Sequence, residues 1–190
     1  MQEINKNQLR ERAKKLQDVD EERWSKVNEH NKYIMEEYFA SMSNLSEATV
    51  VQYKSAMRIF FVWNEENNRG KKIYEITKRD FMKYITFLTN HGLSSSAIKL
   101  KKSAVSSLCN FIELILSEEM EEYKTFRNFA EKLPNQVSST QTYDKKIVTK
   151  TEYKKMMKVL EEKGDIMGQC WLALAFTTGA RRGELRQFTV

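Results

Sequence analysis

The segment Thr178-Gly179-Ala180-Arg181-Arg182-Gly183-Glu184-Leu185 places two arginines and a carboxylate directly after an apolar stretch. A guanidinium group is a planar fork of donors that can bond two oxygens of a carboxylate or phosphate at once. Arg181 is therefore a candidate phosphate-binding group. An alternative is that Arg181 and Arg182 only complement the dipole at the end of the preceding helix.

A second group of cations lies in the middle of the chain. Residues 69–102 contain nine lysines and arginines against only Glu75 and Asp80, and they are Arg69, Lys71, Lys72, Lys78, Arg79, Lys83, Lys99, Lys101 and Lys102. Ser94, Ser95 and Ser96 would add hydroxyl and backbone donors at a helix N-terminus. One interpretation is a phosphate-binding surface, and the other is a solvated charged face. The formal net charge of +6 suits a polyanionic partner without identifying one.

Other kinds of site find little support in the sequence. His30 and His91 are isolated from cysteines and carboxylates at ligand spacing, so we predict no metal site. No apolar run is long enough to span a bilayer and no signal peptide precedes the chain, so we expect neither a membrane partner nor secretion. Cys109 and Cys170 lie in apolar stretches, which predicts two buried free thiols, with one disulfide as the alternative.

The elements that must position the cations read as helices. A single proline in 190 residues, together with abundant Glu, Lys and Leu, favours helix. Apolar periodicity predicts helices at about 21–42, 47–66, 78–90, 94–117 and 121–132. Ser46 and Thr77 fit N-caps, with Asp80 at the reach-back position of Thr77, and Gly70 fits a left-handed cap.

The remaining chain reads as a linker and the start of a second domain. Residues 134–146 are polar and aperiodic. Thr149 or Thr151 then caps a helix that ends near Gly164. The stretch 165–178 is apolar on nearly every side and belongs in a core, and a helical turn at about 182–187 precedes what looks like a strand at 188–190. The predicted organisation is a charged flexible arm at 1–20, a helical domain at 21–133, a linker at 134–146 and an incomplete domain at 147–190.

The octapeptide resembles the first arginine motif, T-G-x-R-x-(S/G)-E-L, of the tyrosine recombinases, or phage integrases. Other segments match that family in the same order. They are Leu45-Ser46-Glu47-Ala48-Thr49 followed by Tyr53 and Phe60-Phe61, Ile76-Thr77-Lys78-Arg79-Asp80, and Gly92-Leu93-Ser94. The shared order spans about residues 25–190.

The resemblance implies a mainly α fold. A SAM-like core-binding bundle of four to five helices would be followed by an incomplete, helical start of a mixed α/β catalytic domain. Such enzymes cut DNA with a tyrosine through a 3′-phosphotyrosine and use no metal or nucleotide cofactor. Arg181 would grip the scissile phosphate and Glu184 would support it. Double-stranded DNA is the implied partner, with assembly as a multimer on DNA in the cytoplasm and no small-molecule substrate.

The family's second and fourth helices approach the major groove, which adds residues to the cationic cluster. The predicted DNA contacts are Thr49, Lys54, Arg58, Lys71, Lys72, Ser94, Ser95, Ser96, Lys99, Lys101, Lys102, Lys145 and Lys146. We expect these contacts to position the protein on phosphates rather than to read bases.

The sequence also departs from the family pattern. Ala180 stands where leucine is frequent, and no H-x-x-R motif or nucleophilic tyrosine follows Val190. The chain by itself is therefore expected to bind DNA without cleaving it. It would be an N-terminal part of a recombinase or a natural truncation that acts as a DNA-binding competitor. The remaining alternative is a helical interaction module with no DNA function.

Overall fold

The computed structural model describes residues 16–42, 45–133 and 147–187. Contacts divide the chain into two units, residues 1–140 and 141–190, and each is described by itself. The described ranges contain helices and turns and no strand, which confirms the mainly α class. The predicted linker at 134–146 and the predicted strand at 188–190 lie outside the described residues.

Helices make up the first unit. Its elements are α1 (Glu21–Ser25), α2 (Glu29–Ser41), α3 (Glu47–Asn67), a 3-10 helix (Ile73–Glu75), α4 (Lys78–Asn90) and α5 (Ser95–Phe111). The prediction of a single helix at 21–42 is wrong, because α1 ends before Asn28 and α2 begins after it. The Asn28 side chain accepts a hydrogen bond from the His30 N–H at 2.9 Å, which starts a new helix at that point.

The predicted caps of the first unit are confirmed. Ser46 Oγ accepts the Thr49 N–H at 3.2 Å and begins α3. Thr77 and Asp80 form the reciprocal pair that begins α4. Gly70, after the end of α3, has a φ of 57°, in the left-handed region.

The end of the bundle differs from the prediction. After α5 the chain passes through a π-helical turn (Ile112–Leu116), a last α turn (Ser117–Glu119) and a 3-10 helix (Glu121–Tyr123). The predicted helix at 121–132 is therefore wrong beyond Tyr123. Asn128 explains the change, because its amide donates to Asn110 Oδ1 at 2.6 Å and its Oδ1 accepts the Ala130 N–H at 2.8 Å. These side-chain bonds replace the backbone bonds of a helix.

Aromatic side chains dominate the core of the first unit. The ring of Phe60, on α3, lies 5.0 Å from that of Tyr84 and 5.7 Å from that of Phe81, both on α4. Phe60 also lies 6.3 Å from Phe129, whose segment follows α5. All four side chains are buried. This cluster joins three parts of the bundle and fixes which face of α3 is left for solvent.

Asp80 is a buried carboxylate that ties the start of α4 to the chain before it. Lys71 Nζ donates to Asp80 Oδ2 at 2.8 Å, and Thr77 donates to the same oxygen from Oγ1 at 2.9 Å and from its N–H at 3.2 Å. Burial alone would raise the pKa of Asp80, but these hydrogen bonds outweigh it and lower the pKa to about 2.

Stability should therefore depend on the charge of Asp80. Its folded pKa of about 2 lies below the ordinary value of 3.8. Its contribution is then fully present above about pH 4 and is lost as the pH falls towards 2. We expect Asp80→Asn to lower the free energy of unfolding by about 2 kcal/mol at pH 7. Urea unfolding should show this difference shrinking below pH 4, whereas a constant difference would show that the charge is not its source. Glu118→Gln, at an exposed position, is the matched control.

The second unit consists of α6 (Lys150–Glu162), α7 (Ile166–Thr178) and α8 (Arg182–Leu185). Of the two candidate caps, Thr149 begins α6, since its Oγ1 accepts the Glu152 N–H at 3.2 Å. Gly179 ends α7 with a φ of 64°, a conformation that glycine adopts without strain.

The predicted burial of α7 is wrong for the described chain. No residue of this helix is buried, and Ile166 and Met167 are 73% and 80% exposed. Cys170 is exposed as well, against the prediction, whereas Cys109 is buried as predicted. The Phe176 ring of α7 stacks on that of Tyr153, with 4.3 Å between the ring centres. A unit of this size has too little chain to cover every side of an apolar helix.

Candidate nucleic-acid interface

A groove of about 710 Å³ lies between α3 and the start of α5. We call it the α3–α5 groove. Its walls include Lys54, Ser55 and Arg58 from α3, Ser94, Ala97 and Lys101 from the α5 side, and Leu16, Gln17, Asp18 and Val19 from the segment before α1. Four of the thirteen predicted DNA-contact residues, Lys54, Arg58, Ser94 and Lys101, therefore share one concave surface.

Helical spacing explains why these side chains meet. Lys54 and Arg58 are four residues apart on α3, and Ala97 and Lys101 are four apart on α5, so each pair lies on one face of its helix. On α3 the buried core lies on the face opposite Lys54 and Arg58. On α5, Lys101 precedes the buried Ala104 and Leu108 by three and seven residues, so it lies on the core-facing side of the helix. The packing of α3 thus directs its cations towards the groove, and Lys101 enters the groove from the edge of the core.

Lys54 and Lys101 are the cations best placed to bind an anion. Lys54 is exposed, while Lys101 is half-buried and burial lowers the pKa of its ammonium group. Across the ranges that the structure describes, neither forms an ion pair with a carboxylate. A partly desolvated cation without a counter-charge is stabilised by an incoming phosphate.

Arg58 is already engaged. Its Nη2 donates to Glu21 Oε1 at 2.7 Å, and its guanidinium carbon lies 4.8 Å from the centre of the Trp24 ring. Its Nε is buried and has no hydrogen-bond partner among the described residues. Any contact between Arg58 and DNA would therefore compete with Glu21.

Lys99 and Lys102 face a different surface. They line a groove of about 560 Å³ that includes Ser103, Asn110 and Lys132, which we call the Lys99 groove. Lys132 was missed by the sequence analysis. It follows the segment wrongly predicted as helix and has a φ of 48°, a conformation that the sequence around it does not signal. Around α5, Lys101 therefore points to the α3–α5 groove, while its neighbours Lys99 and Lys102 point to the Lys99 groove.

The other predicted contact residues that the structure describes line neither groove. Thr49 is in the first turn of α3, where its hydroxyl bonds Ser46 Oγ at 2.8 Å. Lys71 is held by Asp80, and Lys72 Nζ lies 5.8 Å from the centre of the Tyr74 ring. The rest are Ser95 and Ser96, in the first turn of α5, and Lys145 and Lys146, which lie outside the described residues.

Arg181 occupies the N-cap position of α8 in the second unit. Its N–H donates to Glu184 Oε2 at 2.7 Å, and its Nη1 donates to Glu184 Oε1 at 3.2 Å. The Arg181 side chain is nevertheless 87% exposed. Glu184 thus holds the arginine at its backbone and at one guanidinium nitrogen, while most of the guanidinium surface stays accessible.

Metal-binding clusters and membrane-spanning helices are both absent from the parts of the chain that the structure describes. No three His, Cys, Asp or Glu side chains come together there as a metal site would require. None of the helices in those parts combines the length and apolar character needed to cross a membrane.

Comparison with known proteins identifies the family. Residues 34–122 match the model of the phage integrase N-terminal SAM-like domain. The SPbeta prophage-derived recombinase-like protein YomM of Bacillus subtilis strain 168 is 46% identical over 184 residues, which is 97% of this chain and 55% of that protein. The chain thus spans little more than half the length of this relative, and no solved structure matches it significantly. Residues 34–122 thus belong to the phage integrase N-terminal SAM-like domain family, and the two matches together support the tyrosine recombinase, or phage integrase, family for the chain.

Proposed function

We propose that the chain is the DNA-binding portion of a site-specific tyrosine recombinase, and that it binds duplex DNA through the α3–α5 groove. The observation that carries this proposal is the pair Lys54 and Lys101, two cations without a carboxylate partner among the described residues, on opposite walls of one groove. The α3 and α5 walls of the groove lie in the part of the chain that matches the integrase domain, and the similar prophage protein is named recombinase-like.

The proposed contacts are mainly electrostatic. Lysine ammonium groups bind phosphate oxygens and fix the register of a protein on the duplex, but they do not read base sequence. The Lys99 groove offers a further set of cations for the same duplex. We propose that the whole protein assembles as a multimer on DNA in the cytoplasm. It would cleave a DNA strand through a 3′-phosphotyrosine intermediate, formed by a tyrosine that is not in this chain.

A salt series tests the proposal. Fluorescence anisotropy with a labelled duplex would give the dissociation constant at several salt concentrations. Each phosphate neutralised should contribute about −0.9 to the slope of log K against log salt. Contacts by Lys54, Lys99, Lys101 and Lys102 predict a slope of about −2 to −4. A flat line with weak binding would contradict the proposal and favour a helical interaction module with no DNA function.

We extend the proposal to Arg181 as a phosphate ligand, with Glu184 as its positioning residue. The exposed guanidinium and its two bonds to Glu184 support this assignment. We expect Arg181→Ala to weaken duplex binding about tenfold at about 0.1 M salt, because one phosphate is no longer neutralised. Arg182→Ala removes the same charge from the neighbouring position and should have a smaller effect. Equal losses in the two variants would show that only net charge matters.

A further inference from the structure

The segment before α1 covers one side of the α3–α5 groove. On the basis of the proposed function, we infer that residues 16–22, which are this segment together with the first two residues of α1 and which we call the strap, are an internal competitor that DNA must displace from Arg58. The strap contains four carboxylates, Asp18, Asp20, Glu21 and Glu22. Its competition with phosphate would lower the affinity of the first unit for DNA.

The packing of the strap is the first observation. Leu16, Gln17 and Val19 line the α3–α5 groove on one side and a second cavity of about 250 Å³ on the other. The second cavity is also lined by Trp63 and Phe87. Leu16 and Val19 pack against the hydrophobic core but are only partly buried, and Gln17 and Asp18 are exposed. Displacing the strap therefore sacrifices less dispersion attraction than removing a fully buried segment would.

Two ion pairs hold the strap and its neighbour α1 in place. Glu21 Oε1 lies 2.7 Å from Arg58 Nη2, and Arg23 binds both carboxylate oxygens of Glu66, at 2.8 and 2.9 Å. Glu21 is 83% exposed and Glu66 is 46% exposed. The exposed Glu21 carboxylate makes only one hydrogen bond to Arg58, so this pair is weak and reversible on the scale of a DNA-binding energy. Arg23 is only 21% exposed and binds Glu66 through two bonds, so this pair holds α1 more firmly.

The charge of the strap opposes phosphate at the same place. Asp18 lines the groove that contains Lys54 and Lys101, and Glu21 neutralises Arg58. A phosphate entering the groove meets like charge from the strap and finds one of the three cations already occupied. Displacing the strap would relieve both obstacles.

Removing the Glu21 charge tests the inference. We expect Glu21→Gln to tighten duplex binding at least threefold at about 0.1 M salt, because Arg58 becomes available as a phosphate ligand. The salt slope should also steepen by about 0.9, which a general change in net charge would not produce. The measurement is the same anisotropy series as for the unmodified chain.

The control is Glu36→Gln, which removes one negative charge from an exposed position on α2. It should change the affinity less than Glu21→Gln and leave the slope unaltered. In a background of Arg58→Met, the gain from Glu21→Gln should disappear. Equal effects of the two glutamine variants, or a gain in affinity that persists without Arg58, would contradict the inference that the strap competes with DNA. Neither result would contradict the proposed function. An unmodified chain that binds no DNA would overturn both.

Discussion

Reversing the charges of Lys54 and Lys101 together should weaken duplex binding about a hundredfold at about 0.1 M salt. A phosphate that the protein no longer neutralises keeps about 0.9 counterions that binding would otherwise release. At about 0.1 M salt this weakens binding about tenfold for each phosphate. The slope of log K against log salt should fall in magnitude by about 2. Anisotropy titrations of Lys54→Glu/Lys101→Glu against the unmodified chain would measure both quantities.

The matched control is Lys124→Glu/Arg127→Glu, which makes the same change in net charge at two exposed residues that line neither groove. Its effect should be several-fold smaller. Lys101 is half-buried, so thermal unfolding should be measured to show that the double variant is folded. Lys54→Glu alone should weaken duplex binding about tenfold. Equal losses in test and control would show that net charge, not the α3–α5 groove, governs binding.

Phe60→Ala should lower the free energy of unfolding by about 4 kcal/mol. Phe60 is fully buried and its ring contacts aromatic rings on α3, α4 and the segment after α5, so its truncation leaves a cavity that three parts of the bundle line. Urea unfolding followed by circular dichroism at 222 nm would measure the loss.

Val51→Ala is the control for Phe60→Ala because it lies on the same helix and is 69% exposed. Its effect should stay within about 0.5 kcal/mol. A loss below about 1 kcal/mol for Phe60→Ala would mean that the aromatic cluster does not hold α3, α4 and the segment after α5 together. The rotation of α3, and with it the cationic wall of the groove, would then lack its structural basis.

The sequence predicted best what is decided locally. The caps at Ser46, Thr77 and Thr149 depend on side chains within three residues of the bonds they make. Ser46 and Thr77 are the predicted caps, and Thr149 is one of the two that the sequence offered for α6. The helices at 47–66 and 78–90 have continuous apolar faces between such caps. The break after α1 was missed because Asn28 was not recognised as a second cap in a stretch with helical periodicity.

Features decided by distant residues could not be predicted. The irregular chain after Tyr123 depends on bonds between Asn128 and Asn110, 18 residues away. Arg58, a predicted DNA contact, pairs with Glu21, which is 37 residues away in sequence, so DNA would have to compete with Glu21 for it. Lys99 and Lys101 are two residues apart and were predicted as part of one cationic cluster. They face different grooves because they point in different directions from α5.

The roles proposed for Arg181 and Glu184 rest on the resemblance of the octapeptide to the family's first arginine motif. The structure adds the two hydrogen bonds that join them, and these bonds depend only on a spacing of three residues. That residues 147–190 begin a catalytic domain stays a prediction, as does the DNA contact of each named lysine.

The most direct test is an NMR titration of the 15N-labelled chain with a short duplex at low salt. We expect the amide signals of Lys54, Ser94 and Lys101 to shift together and to saturate as DNA is added. The signals of Lys124 and Glu118, which line neither groove, should not shift. Saturable shifts confined to residues outside the α3–α5 groove, or no shifts at all, would contradict DNA binding through this groove.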